Sequence, residues 1–206
     1  MNILSREVPI DLAHAALLVI DLQNYCISGK SWKTGYFRQS LGDTVLPNIQ
    51  RLQLACRQSG IEVLYSVIEN MTRDGRDRSL DYKISSIDVP RCSWEAQILG
   101  EIAAAEDEMI FRKTSSNVFV STNIDYVLRN LAVRSLIVAG LMTDQCVESA
   151  VRDACDLGYL VTLVSDACTT SSAERHNQSL LGIRGYCRQC STEVMLAEIA
   201  ALTRSS

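Results

Sequence analysis

Clusters of positive charge are missing from this chain of 206 residues, which sets 20 Lys and Arg against 24 Asp and Glu. A net charge of −4 with no basic patch argues against nucleic acid as a partner, because a phosphate-binding surface needs grouped cations. Long apolar runs are missing too. Stretches such as Ala15 to Ile20 fall far short of the roughly 20 residues that a bilayer demands, so no membrane partner is expected. The segment Met1 to Glu7 has no basic region leading into an apolar one, so no secretory signal is expected. On that reading the eight cysteines stay reduced in a cytoplasm. Cys187 and Cys190 form a lone C-x-x-C with no second ligand pair at zinc spacing, which excludes a recognisable structural zinc site. No linker and no repeat interrupts the chain, and 47% apolar with 21% charged residues is an ordinary globular composition. Residues 1–206 are therefore expected to form one domain.

What is present is an alternation of strands and helices. His14 to Ile20 is a continuous apolar run ending at Asp21, the mark of a strand buried on both faces. A polar loop through Gly35 follows. Pro47 to Gly60 carries Ile49, Leu52, Ala55 and Cys56 at helical spacing, and Ile61 to Ile68 reads as a second strand. Glu69 to Pro90 is charged and long enough to suggest a functional loop. A helix is predicted from Ser93 to about Ala104, burying Trp94, Ile98, Leu99 and Ile102, and a third strand from Glu108 to Phe111. Thr122 with Asp125 resembles a capping box. Leu136 to Ala139 is a fourth strand and Tyr159 to Val164 a fifth; Gly185 to Cys190 offers a short sixth. Helices are expected from Cys146 to the stop at Gly158, over Ala173 to Ile183 and over Thr192 to Leu202. Apolar strands alternating with helices predict a three-layer α/β/α sandwich around a doubly wound, mostly parallel sheet of about six strands.

In such sheets, ligands bind outside the carboxyl ends of the strands. Asp21 ends strand one, Lys113 follows strand three, and Cys146 follows strand four, so three reactive side chains fall on one rim. Cys146 also opens a helix, where unpaired N–H groups and the helix dipole favour the thiolate over the thiol. A carboxylate beside a thiol can take its proton, and an ammonium favours both anions. Each residue has a bland reading as well: a small buried cysteine, a solvated aspartate, a surface lysine.

The stretches Leu17-Leu18-Val19-Ile20-Asp21-Leu22-Gln23-Asn24 and Gly140-Leu141-Met142-Thr143-Asp144-Gln145-Cys146-Val147, with Lys113 between them, resemble the isochorismatase-like cysteine hydrolases over nearly the whole chain. That group includes nicotinamidases, N-carbamoylsarcosine amidases and ureidoacrylate amidohydrolases. The resemblance implies a triad: Cys146 as nucleophile, Asp21 as general base, Lys113 as the cation that holds the aspartate. It also implies a cis peptide between Leu141 and Met142, and an oxyanion hole made by the N–H groups of Met142 and Cys146. The implied chemistry is attack on an amide or ureido carbonyl, release of ammonia or an amine, and hydrolysis of a thioester.

Nicotinamidases carry histidines after strand two that hold a metal. Here Ser66 to Thr72 has none, and the chain has only His14 and His176, so nicotinamidase is rejected and neither a catalytic metal nor any cofactor is expected. His176 is read as a surface residue. Cys146-Val147-Glu148-Ser149 with Arg152-Asp153, and Ser93 to Gln97, look most like the ureidoacrylate and carbamoyl-cleaving branch; Glu148 and Arg152, four apart, also fit a simple ion pair. Gln23, Asn24, Tyr25, Glu69, Asn70, Tyr82, Trp94, Asn117 and Phe119 lie on loops expected to roof the site for a small amide or ureido substrate. Two alternatives stay open: vinyl-ether hydrolysis of the isochorismate type through Asp21, and a catalytically silent relative that binds a metabolite or partner. Trp32, Tyr36 and Phe37 in an apparent loop suggest a homo-oligomer.

Overall fold

The computed structural model describes residues 5–28 and 34–205. Its centre is a six-stranded sheet in the order β3-β2-β1-β4-β5-β6, with every neighbouring pair parallel. The strands are β1 (Ala15–Ile20), β2 (Glu62–Ile68), β3 (Met109–Lys113), β4 (Ser135–Leu141), β5 (Leu160–Thr169) and β6 (Arg188–Cys190). The helices are α1 (Gly35–Ser40), α2 (Leu46–Gln58), α3 (Leu80–Ile84), α4 (Val118–Ser121), α5 (Ile124–Asn130), α6 (Glu148–Asp156), α7 (Ala173–Ile183) and α8 (Thr192–Ser205).

The period-2 alternation of the strands sorts the side chains into two cores. Leu17, Val19, Val63, Tyr65, Ile137 and Ala139 face α1, α2 and α8 through Phe37, Ile49, Leu52, Cys56, Met195 and Ile199. Ala16, Leu18, Ile20, Leu64, Leu136 and Val138 face α4 to α7 through Val118, Ile124, Leu128, Val147, Val151, Ala154 and Ile183. Both faces are covered, which is why β1 and β4 are buried at every position. Strand order reverses between β1 and β4, and a crevice for a ligand opens at that point.

Three expectations are corrected. Ser93 to Ala104 is not one helix but two 3-10 turns, Trp94–Ala96 and Gly100–Ile102. The intervening residues run alongside residues 22–24: Asn24 N donates to Gln97 O and Leu99 N to Leu22 O, contacts a helix would forbid. Trp94 is consequently 53% exposed rather than buried. The expected loop before Gly35 leads directly into α1, which a π turn, Leu41–Val45, joins to α2. Phe37 therefore lies in the core and Tyr36 on a helix; Trp32 lies outside the described residues. The helix after Thr122 begins at Ile124, whose N–H the Thr122 hydroxyl accepts at 3.2 Å, and Asp125 pairs with Arg129 instead of closing a capping box. Glu148 and Arg152 form the expected pair at 2.7 Å. All eight cysteines, Cys187 and Cys190 included, are free. No helix among the described residues is long and apolar enough to cross a membrane.

Candidate active site

Asp21 sits one residue past β1 with φ +54, the left-handed region that few side chains other than Asn and Asp tolerate. Its N–H donates to Ser66 O at 2.9 Å, and Ser66 Oγ donates to Asp21 Oδ1 at 3.0 Å, so β2 fixes both backbone and carboxylate. Gly140, at φ +123 on β4, lets the two strand ends approach: a Cβ there would stand 2.2 Å from Ile20 O. Beyond it the Leu141–Met142 peptide is cis, as the family resemblance implies. A π turn, Thr143–Val147, then carries Cys146 over the β1/β4 crevice and runs straight into α6.

Lys113, at the end of β3, is wholly buried and ties the group together. Its Nζ lies 2.8 Å from Asp21 Oδ2 and donates to Cys146 Sγ at 3.3 Å, Tyr82 Oη at 2.9 Å and Ser115 O at 3.0 Å. Tyr82 Oη is 3.9 Å from Cys146 Sγ. The structure thus brings the three strand-end residues within one ammonium's reach.

Electrostatics correct the expected thiolate. Burial pushes the Cys146 thiol up to about 11. The Lys113 charge lowers it, while the Asp21 charge and a hydrogen bond to Asp21 raise it further. The helix start loses because desolvation of a buried anion outweighs a partial charge at a turn. Burial works to lower the Lys113 pKa, but the charge of Asp21, 2.8 Å away, outweighs it and holds the ammonium well above its ordinary value. With thiol and phenol neutral at pH 7, Asp21 is the group that pairs with the ammonium. The resting site is an ion pair beside a protonated sulfur, with burial pushing the Tyr82 phenol up as well.

A cavity of about 570 Å³ opens over this group. Gln23, Tyr25, Tyr82, Met142 and Cys146 line it, together with Asp21. Gln23 spends its amide on a staple, donating to Ile68 O and Glu95 O and accepting from Ile68 N. Six residues expected to roof the site are engaged elsewhere. Asn24 donates to Trp94 O, and Trp94 itself faces solvent. Glu69 accepts from Cys92 N and Arg112 Nε, and Asn70 donates to Asp88. Asn117 caps α4 and donates to Ser149 O, and Phe119 packs against Tyr159. Sequence reasoning missed Asp81, Ser85, Ser86, Ser116, Gln145, Ser149, Ser171 and Arg175 on the cavity wall. Ser149 carried a usable signal, one helical turn beyond Cys146, and Ser171 follows β5 at the same rim. Residues 81–87 carried none, since a long loop gives no periodicity.

His176 is also corrected. It is half-buried, its Nδ1 lies 2.8 Å from the buried Thr143 hydroxyl, and burial lowers its pKa while Asp144 raises it. Among the described residues, no group of three or more His, Cys, Asp or Glu is placed to hold a metal.

An α/β sheet of order 3-2-1-4-5-6 with an aspartate, a lysine and a cysteine gathered at its crossover crevice defines a class: doubly wound folds with a buried polar cluster at the carboxyl rim of the sheet. The isochorismatase domain family model matches residues 15–198, and the chain belongs to that family. A protein of Arabidopsis thaliana described as a probable inactive nicotinamidase is 32% identical over 178 residues, 83% of this chain and 88% of its own length. N-carbamoylsarcosine amidase of an Arthrobacter species is 34% identical over 57% of this chain, which spans 46% of that protein. Ureidoacrylate amidohydrolase of Acinetobacter baylyi is 26% identical over 83% of this chain and 77% of its own length. A cysteine hydrolase from Pseudomonas syringae superposes with a TM-score of 0.83 at 24% identity, covering 98% and 99% of the two chains, which shows the shared fold.

Proposed function

We propose that the chain is an amidohydrolase that cleaves the C–N bond of a small amide, ureido or carbamoyl compound through a thioester on Cys146. The observation that carries this reading is the buried Asp21–Lys113–Cys146 contact at the floor of an open cavity. Amidase and amidohydrolase relatives support it.

Because the sulfur is protonated at rest, attack and deprotonation are coupled. The S–H proton passes to the Asp21 carboxylate as sulfur bonds to the substrate carbonyl carbon, whose oxygen becomes the oxyanion. Met142 and Cys146, both on the cavity wall, offer their N–H groups to that oxygen; a preorganised donor of this kind is worth about 3–4 kcal/mol. Collapse breaks the C–N bond, and Asp21 returns the proton to the leaving nitrogen. Water then attacks the thioester, giving its proton to Asp21, and the sulfur leaves and is reprotonated. Lys113 keeps its charge throughout and stabilises each anion in turn.

A second reading, a silent relative, draws on the same protonated sulfur and on the relative described as probably inactive. One experiment separates them. The protein is screened for ammonia release from ureides, carbamoyl amino acids, biuret, simple amides and lactams, and separately for hydrolysis of an isochorismate-type vinyl ether, alongside Cys146→Ala. Turnover lost in the variant supports the proposal. Turnover of an isochorismate-type vinyl ether retained in Cys146→Ala, or no turnover of any compound, refutes it.

A further inference from the structure

The turn that carries Cys146 is held from behind by α7. Thr143, the first residue of the turn, is fully buried, and His176 Nδ1 meets its hydroxyl at 2.8 Å. Ser179 Oγ lies 3.0 Å from Thr143 O and 2.6 Å from Glu148 Oε2, and its one proton goes to either acceptor. Arg175 pairs with Asp144, whose other oxygen accepts from Thr170 Oγ1 at 2.5 Å. Residues 175, 176 and 179 share one face of a helix, and their partners 143, 144 and 148 flank the nucleophile on both sides. A π turn followed by a short helix has little stiffness of its own, so the direction in which Cys146 points depends on what grips its neighbours.

We infer that His176 is a positioning residue, locking Thr143 so that the Cys146 sulfur stays over the Asp21–Lys113 pair. The other contacts of α7 to this turn are to a backbone carbonyl or to the carboxylates of Asp144 and Glu148. The histidine contact is different: it joins a buried hydroxyl to an imidazole of which one ring nitrogen is committed. At neutral pH burial favours the neutral ring, so either Thr143 donates to Nδ1 or the ring donates to the hydroxyl; the contact survives both tautomers. Asp144 and Arg175 lie beside this contact, and Asp43 and Asp166 share a second cavity with the ring.

The test has an arm that does not depend on the proposed function. His176→Leu removes the contact, and His176→Asn restores a polar atom close to the Nδ1 position. Iodoacetamide labelling of the whole protein is followed residue by residue through mass spectrometry of peptides. In His176→Leu, Cys146 is expected to label about tenfold faster than in the parent while core Cys56 and Cys168 stay slow; His176→Asn labels like the parent. Thr143→Val is expected to behave like His176→Leu, and the double variant no worse than either. Parental labelling of Cys146 in both single variants overturns the inference, as does equal acceleration of all three cysteines. The turnover arm rests on the proposed amidohydrolase reading: kcat falls about tenfold in His176→Leu with KM within twofold, and His176→Asn recovers it. Absence of turnover in the parent refutes that reading and leaves the labelling arm standing.

Discussion

Replacing Lys113 with Met keeps the length of the side chain and removes its charge, which isolates the electrostatic role of the ammonium. Lys113 is fully buried and Asp21 is 6% exposed, so the aspartate would remain almost wholly desolvated at the floor of the cavity with no cation beside it. Removing one partner of a buried pair costs about 3–5 kcal/mol, because the remaining ion has lost its water without compensation. Ser66 Oγ and local relaxation recover part of that cost, so Lys113→Met is expected to lose about 3 kcal/mol in urea unfolding at pH 7. The sign of the pH dependence is a second handle. In the variant the stranded carboxylate costs stability only while it is charged and unpaired, so the deficit should shrink as acid removes that charge between pH 7 and pH 4. Adding Asp21→Asn removes the stranded charge and should restore most of the loss at pH 7. A deficit below about 1 kcal/mol, or one that does not vary with pH, would refute the reading of this pair as a buried, mutually dependent ion pair.

Two further outcomes follow from the same geometry. Iodoacetamide at pH 7.5 should modify exposed Cys92 first and leave Cys146 slow, because burial holds its thiol near 11; peptide mass spectrometry showing Cys146 labelled first would revive the preformed thiolate. Gly140→Ala should destabilise by more than about 3 kcal/mol or prevent folding, since its Cβ meets the backbone of Ile20 at 2.2 Å and φ is +123; circular dichroism melting within a few degrees of the parent would contradict this.

The layered fold was legible because its signals are local. Leu17 to Ile20 and Leu136 to Ala139 are apolar without a break, and Ala173 to Ile183 repeats at the helical period; the structure places strands or helices over each. The segment from Ser93 to Ala104 misled because helical spacing of its apolar residues cannot show that the segment after β1, Leu22 to Asn24, captures its backbone. The roofing residues misled for the same reason. Asn24, Asn70 and Asn117 are polar and loop-borne, as ligand contacts usually are, yet each satisfies a nearby backbone or carboxylate first.

The sequence alone determined that a carboxylate, an ammonium and a thiol emerge at one rim, because strand ends in a parallel sheet are fixed by where apolar runs stop. Only the tertiary structure decided how those groups are charged. Depth of burial sets the proton on Cys146, and the neighbouring Asp21 keeps the charge on Lys113 against burial; both depend on what other segments cover and bring close, which no stretch of sequence contains by itself. The grip of α7 on the turn before Cys146 belongs to the same category: His176 is thirty residues downstream of that cysteine, and only packing brings it to Thr143.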